Sequence, residues 1–128
     1  MARKTVHSDN APKAIGPYSQ AVQADAGKMT FLSGQIPLDP KTMELVPGDV
    51  VAQTEQVMKN LGAVLQAAGL DFSHVVRCTI FLTDLGDFAR VNEVYGRSFP
   101  GSPPARVTVQ VSALPRGSKV EIDAIAVS

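Results

Sequence analysis

The sequence predicts an α+β fold: a mixed sheet of six strands with two helices packed on one of its faces. Two segments carry apolar residues at helical spacing, and several short segments are rich in β-formers with period-two alternation. The two kinds interleave along the chain as three strands, a helix, a strand, a helix and two strands. At 128 residues the chain has the size of one ordinary domain. Residues 1–128 are read as a single domain without internal repeats or low-complexity segments.

Each element has a local reason. Residues 6–17 are mostly polar, with Asn10-Ala11-Pro12 and Gly16-Pro17 as turn signals. Ser19 to Asp25 alternates loosely and is assigned as a strand. Ala26-Gly27-Lys28 is assigned as a tight turn, and Met29 to Gly34 as the hairpin partner with Met29, Phe31 and Ser33 on one face. Of the three strands expected before the first helix, residues are assigned to these two. Pro37, Pro40 and Pro47 mark a loop.

Asp49 to Leu70 is the clearest element. Val50, Thr54, Val57, Met58, Leu61, Val64, Leu65 and Ala68 recur at helical spacing, with Asp49 as N-cap and Gly69 at the stop. Gly62 inside the pattern is expected to allow close packing on the sheet. Val75 to Thr83 is assigned as a strand. Asp84 to Phe99 is assigned as a second helix with Leu85, Phe88, Val91, Val94 and Tyr95 as its buried stripe. Pro100 to Pro104 breaks the chain before a strand at Ala105 to Val111. There Arg106, Thr108 and Gln110 face one way and Val107, Val109 and Val111 the other. Leu114 to Ser118 is assigned as a turn and Lys119 to Val127 as the last strand. With both helices on one face, the other face is left to solvent or to another subunit. Apolar residues on both sides of strands, such as Ile80, Phe81 and Leu82, favour a subunit.

Composition narrows the function. The formal net charge is zero, which removes the footprint of a dedicated nucleic-acid binder, and no apolar run approaches membrane-spanning length. Cys78 is the single cysteine, so no intrachain disulfide forms. Together with an N-terminus that has no signal-peptide pattern, this fits a soluble cytoplasmic protein. The two histidines, His7 and His74, stand without a cysteine or acidic cluster at metal-ligand spacing. No phosphate-binding glycine loop, dinucleotide fingerprint or serine-nucleophile elbow is present. Neither metal nor cofactor is expected. Cys78, in mid-strand, reads as a small buried hydrophobe.

What remains for chemistry is a guanidinium, a carboxylate and hydrogen-bonding groups. Arg106 opens a Val-rich strand beside a proline break, so its planar fork is well placed for a carboxylate or phosphate. On pattern alone, a solvated or ion-paired arginine is the commoner outcome. Glu121, between Val120 and Ile122, suits a carboxylate that positions or deprotonates a water; a solvent-facing residue or ion pair is the alternative. Tyr18, after Gly16-Pro17, is either a pocket wall or a core aromatic. Gly34, in Ser33-Gly34-Gln35, either brings backbone close to a ligand or ends a strand. Asn92 on the second helix either reaches a site or is exposed.

Nearly the whole chain resembles the RidA family, also called the YjgF family. The resemblance rests first on Pro104-Ala105-Arg106-Val107-Thr108-Val109, Leu114 and Val120-Glu121-Ile122. It extends to Ala14-Ile15-Gly16-Pro17-Tyr18-Ser19-Gln20-Ala21, Phe31-Leu32-Ser33-Gly34-Gln35-Ile36-Pro37, Gln53-Thr54-Glu55-Gln56 and Val91-Asn92-Glu93-Val94-Tyr95. It implies a chorismate-mutase-like fold, a homotrimer with a central barrel, and sites in the clefts between subunits. The implied activity is hydrolysis of 2-aminoacrylate and related 2-imino acids, such as 2-iminopropanoate and 2-iminobutanoate, to 2-oxo acids and ammonia.

In that reading Arg106 holds the substrate carboxylate and Glu121 orients or deprotonates the attacking water. Ser33 and Gly34 help bind the imine end, Tyr18 closes the pocket and Asn92 supports it. Many family members carry Cys two residues after the motif arginine. This chain has Thr108, which supplies a hydroxyl on the same strand face and bears on substrate preference. The other readings are a non-catalytic regulator that binds small carboxylates, an amidohydrolase on a related substrate, and an endoribonuclease or translation inhibitor. The neutral charge and isolated histidines argue against the last.

Overall fold

The computed structural model describes residues 3–25 and 27–128. Strands β1 (Arg3–Val6), β2 (Ala21–Ala24) and β3 (Met29–Gln35) precede helix α1 (Val50–Ala67). Then come β4 (Val75–Leu82), α2 (Phe88–Gly96), β5 (Ala105–Gln110) and β6 (Val120–Val127). The α+β class and both helices follow the sequence reading. The single six-stranded sheet does not. The main sheet has four strands in the order β3-β6-β4-β5, mixed because β4 and β5 run parallel, and β1 and β2 form a separate antiparallel ribbon.

The expected hairpin between the strands around residues 19–34 is therefore absent among the described residues. Ala26 of its turn lies outside them. Gly27 lies so close to the Ser128 carbonyl that a Cβ would stand 2.3 Å from it. Lys28 and Ser128 exchange backbone hydrogen bonds of 2.9 and 3.0 Å. The chain entering β3 is thus zipped to β6, which offers an apolar inner row. β2 offers only a half-buried Val22. β1, to which the sequence reading gave no residues, takes β2 instead.

Helix α1 is fixed at both ends. The Asp49 side chain accepts from the backbone N–H of Val51 and Ala52. At the other end Gly69 adopts φ +76°, Gly69 N–H donates to Gln66 O, and Leu70 N–H donates to Leu65 O. That pair of bonds is a Schellman motif, which glycine favours because it carries no Cβ into the left-handed region. Gly62 does not meet the sheet as expected: a Cβ there would stand 3.2 Å from the Phe72 ring, in the turn after the helix. The second helix is shorter than its apolar pattern. Asp84 accepts from Gly86 N–H and closes a separate 3₁₀ turn at Leu85–Asp87, so Leu85 stays exposed and α2 starts at Phe88.

Register sorts the side chains by face. Val120, Ile122, Ala124 and Ala126 of β6 and Cys78, Ile80 and Leu82 of β4 are buried beneath the helices against Val57, Leu61, Leu65, Val91 and Tyr95. The opposite face carries no helix. There Met29, Phe31, Val107 and Val109 are exposed, Phe31 by 70%. Asp49→Ala removes the α1 cap and should lower stability by about 1 kcal/mol, read as a shift in the denaturant midpoint at fixed protein concentration.

Candidate active site

Two clusters emerge from the residues singled out in the sequence, one on each face of the sheet. β4 and β5 pair in register with Cys78 opposite Arg106 and Ile80 opposite Thr108. Cys78 and Ile80 lie on the helix-covered face, so Arg106 and Thr108 do too. Glu121 pairs with Phe81 on β4, one residue out of phase, and belongs to the open face. Arg106, Thr108, Asn92 and Tyr18 gather in the first cluster. Gly34 and Glu121 form the second, with Ser33 next to Gly34 in β3. One chain does not bring Arg106 and Glu121 together.

In the first cluster the guanidinium of Arg106 is half-buried. Its Nη1 donates to Asn92 Oδ1 at 2.5 Å. Its Cζ lies 5.4 Å from the Tyr18 ring centroid, 5.4 Å from that of Phe88 and 5.3 Å from that of Tyr95. Each distance is within cation–π range. Desolvation holds the Arg106 pKa below its ordinary value, opposed by the fields of Tyr95, Tyr18 and Cys78. Among the described residues no carboxylate pairs with it. A guanidinium presents five donors, so most of the fork is available to an incoming anion.

The surroundings of Arg106 are built, not incidental. Ser19 N–H donates to Pro104 O at 3.1 Å and its hydroxyl to Pro103 O, which docks the segment holding Tyr18 at the start of β5. Pro17 packs against Gly96, where a Cβ would stand 3.4 Å from the proline. Phe88, Asn92 and Tyr95 share one face of α2 at spacings of four and three residues.

The sequence reading placed Phe88 and Tyr95 in a buried stripe. Tyr95 is wholly buried, whereas Phe88 is exposed enough to lie over the guanidinium. Their spacing around Asn92 was the signal that they belong to the site. Two further hydroxyls in this region, Tyr95 Oη and Thr108 Oγ1, are buried without a hydrogen-bond partner among the described residues. Each such group costs about 1–3 kcal/mol if it stays unpaired.

In the second cluster β3 slips register between Leu32 and Gln35. The bulge sets Gly34 against Glu121, so closely that a Cβ at 34 would lie 2.0 Å from Glu121 Oε2. Glycine is what lets this carboxylate lie across the strand. Among the described residues no three His, Cys, Asp or Glu side chains are grouped to hold a metal, and no helix is long and apolar enough to cross a membrane.

The sequence profile of the endoribonuclease L-PSP family matches residues 8–128. The chain belongs to this family, the YjgF/RidA family. It is 87% identical to protein DfrA of Myxococcus xanthus over 128 residues, covering 100% of this chain and 98% of that one. It is 56% identical to the 2-iminobutanoate/2-iminopropanoate deaminase of Mus musculus over 127 residues, covering 99% of this chain and 93% of that one. Among solved structures, it superposes on TdcF of E. coli with bound serine at a TM-score of 0.75 and 45% identity, with 98% of each chain covered. The α+β fold of two helices and a mixed sheet is thus that of the YjgF/RidA family.

Beside Arg106 on the neighbouring strand lies Cys78, 2% exposed, whose thiol pKa burial pushes up to about 11. Burial, and then the neighbouring Cys78, raises Tyr95 as well. Between pH 9 and 11 an unfolded chain releases the thiol proton and the folded one keeps it, so stability falls as pH rises. The loss from Cys78 should reach roughly 2–3 kcal/mol. Chemical denaturation of wild type and Cys78→Ala across that window checks it: the variant should show the shallower decline.

Proposed function

We propose that the protein hydrolyses small 2-imino acids to 2-oxo acids and ammonia, in sites that two copies of the chain complete together. The observation that carries this reading is Arg106: a half-buried guanidinium, boxed by aromatic rings, with no carboxylate of its own among the described residues. Such a group binds a small planar anion in a partly dry site, where the interaction is stronger than in water. The 56% identical mouse relative carries the name of an imine deaminase, and a solved relative holds serine, an α-amino acid with a carboxylate at one end.

The reaction needs little from the protein. Arg106 fixes the substrate carboxylate and thereby the adjacent C=N carbon. Water adds to that carbon and gives its proton to Glu121, forming a tetrahedral adduct. The nitrogen, an amine once water has added to the protonated imine, takes that proton back from Glu121 and leaves as ammonia, while the adduct's hydroxyl passes its own proton to Glu121 and C=O forms. Ser33 and Gly34 flank Glu121 and face the nitrogen end, Tyr18 walls the pocket, and Thr108 offers its unpaired hydroxyl. Because Glu121 lies on the open face, it serves the Arg106 of another copy. A homotrimer packed through that face, over Phe31, Val107 and Val109, covers the exposed apolar row and joins the two clusters.

The test couples a threonine dehydratase, which makes 2-iminobutanoate, to the protein and follows loss of the imine. Wild type should accelerate the loss, and Arg106→Ala should reduce the acceleration at least a hundredfold while folding normally. Carboxylate binding by wild type without acceleration would replace this reading with that of a non-catalytic regulator.

A further inference from the structure

The hydrogen bond from Arg106 to Asn92 leaves a donor unused on each residue and decides where that of Asn92 points. A guanidinium carries no acceptor, so the atom of Asn92 that faces it is the oxygen, and Nδ2 is turned away. It is turned toward Gly16. A Cβ built on Gly16 would lie 3.8 Å from Asn92 Nδ2, 3.6 Å from Arg106 Nη2 and 3.8 Å from Tyr18 Cδ2. Neither Nη2 nor Nδ2 has an acceptor among the described residues. The missing side chain of Gly16 therefore leaves a notch with two convergent donors, an aromatic wall and an opening to solvent, since Gly16 itself is exposed.

The notch is held in shape. Tyr18 N–H donates to Gly16 O at 2.8 Å, and Ile15 N–H donates to Tyr18 Oη at 3.3 Å. Pro17 rests on Gly96, and Ser19 is tied to Pro103 and Pro104. Nothing in the backbone demands glycine at 16. Its φ is not in the left-handed region, and all three contacts of an added Cβ are ordinary van der Waals distances. The conformation tolerates alanine, so what glycine contributes here is empty space.

We infer that Gly16 determines binding by leaving open the seat of the substrate carboxylate, with one oxygen taking Arg106 Nη2 and Asn92 Nδ2 as its donors. The inference rests on the carboxylate-binding reading of Arg106 and adds the site's shape and its second donor. Asn92 is then more than an anchor for the arginine. Its oxygen orients Arg106 while its amide nitrogen binds the same anion.

The test is calorimetric titration of the protein with 2-oxobutanoate, a stable 2-oxo acid of the product class. Gly16→Ala should bind at least tenfold more weakly than wild type, with an unchanged thermal midpoint. The second readout leaves the backbone at 16 and the charge on Arg106 untouched: the side-chain amide NMR signal of Asn92 in wild type, which should shift on saturation with 2-oxobutanoate, and it decides the matter if Gly16→Ala does not fold. Wild-type affinity in a folded Gly16→Ala, or an Asn92 amide signal unmoved by bound 2-oxobutanoate, would overturn the notch and leave Arg106 as the carboxylate site. Failure of wild type itself to bind 2-oxobutanoate would overturn the Arg106 reading and the notch with it.

Discussion

A guanidinium that gives up part of its water needs compensation, and around Arg106 that compensation is mostly aromatic. Three ring faces at 5.3–5.4 Å and one amide oxygen replace the carboxylate that a buried arginine ordinarily takes. Each ring contributes about 0.5–2 kcal/mol, enough to hold the group in place without neutralising it. Much of the local architecture serves that arrangement. The spacing of Phe88, Asn92 and Tyr95 along α2 places all three on one face. The segment holding Tyr18 is tied to the chain entering β5 through Ser19, and Arg106 sits at the start of that strand.

The second constraint is the period of a β-strand. Residues one position out of phase face opposite sides, and Arg106 and Glu121 are out of phase across the β5-β4-β6 ladder. No side-chain motion within one chain reverses this, because β4 and β6 are locked by a buried row on the helix side. A chemistry that uses both groups therefore requires a second copy. The open face carries an exposed apolar row, with Phe31 exposed by 70%. The bulge in β3 lays Glu121 over Gly34 at the edge of the sheet.

Much of this was legible in the sequence. Asp49 and Gly69 bracket α1 because capping chemistry is local, and the alternation in β5 put Arg106 and Thr108 on one face because strand period is local too. Pairing between strands is not local. Nothing in Ala21–Ala24 announces that it prefers Arg3–Val6 to β3, because that choice depends on β3 having β6, distant in sequence, as its partner. The residues named for the site were each legible as types, but their division between two faces needed the register of β6. Phe88 and Tyr95 were hidden by the rule that apolar residues at helical spacing form core. Tyr95 obeys that rule and still forms one wall of the arginine box.

Complementation between two inactive variants reads directly whether Arg106 and Glu121 act from different copies. Arg106→Ala and Glu121→Ala should each be inactive toward 2-iminobutanoate when pure. After subunit exchange in an equal mixture, a site with both groups forms wherever an intact Arg106 meets an intact Glu121 on the neighbour, about one quarter of all interfaces. The mixture should recover about that fraction of wild-type activity. A mixture whose hybrid oligomers are verified by mass spectrometry, yet which stays as inactive as its parents, would contradict the account.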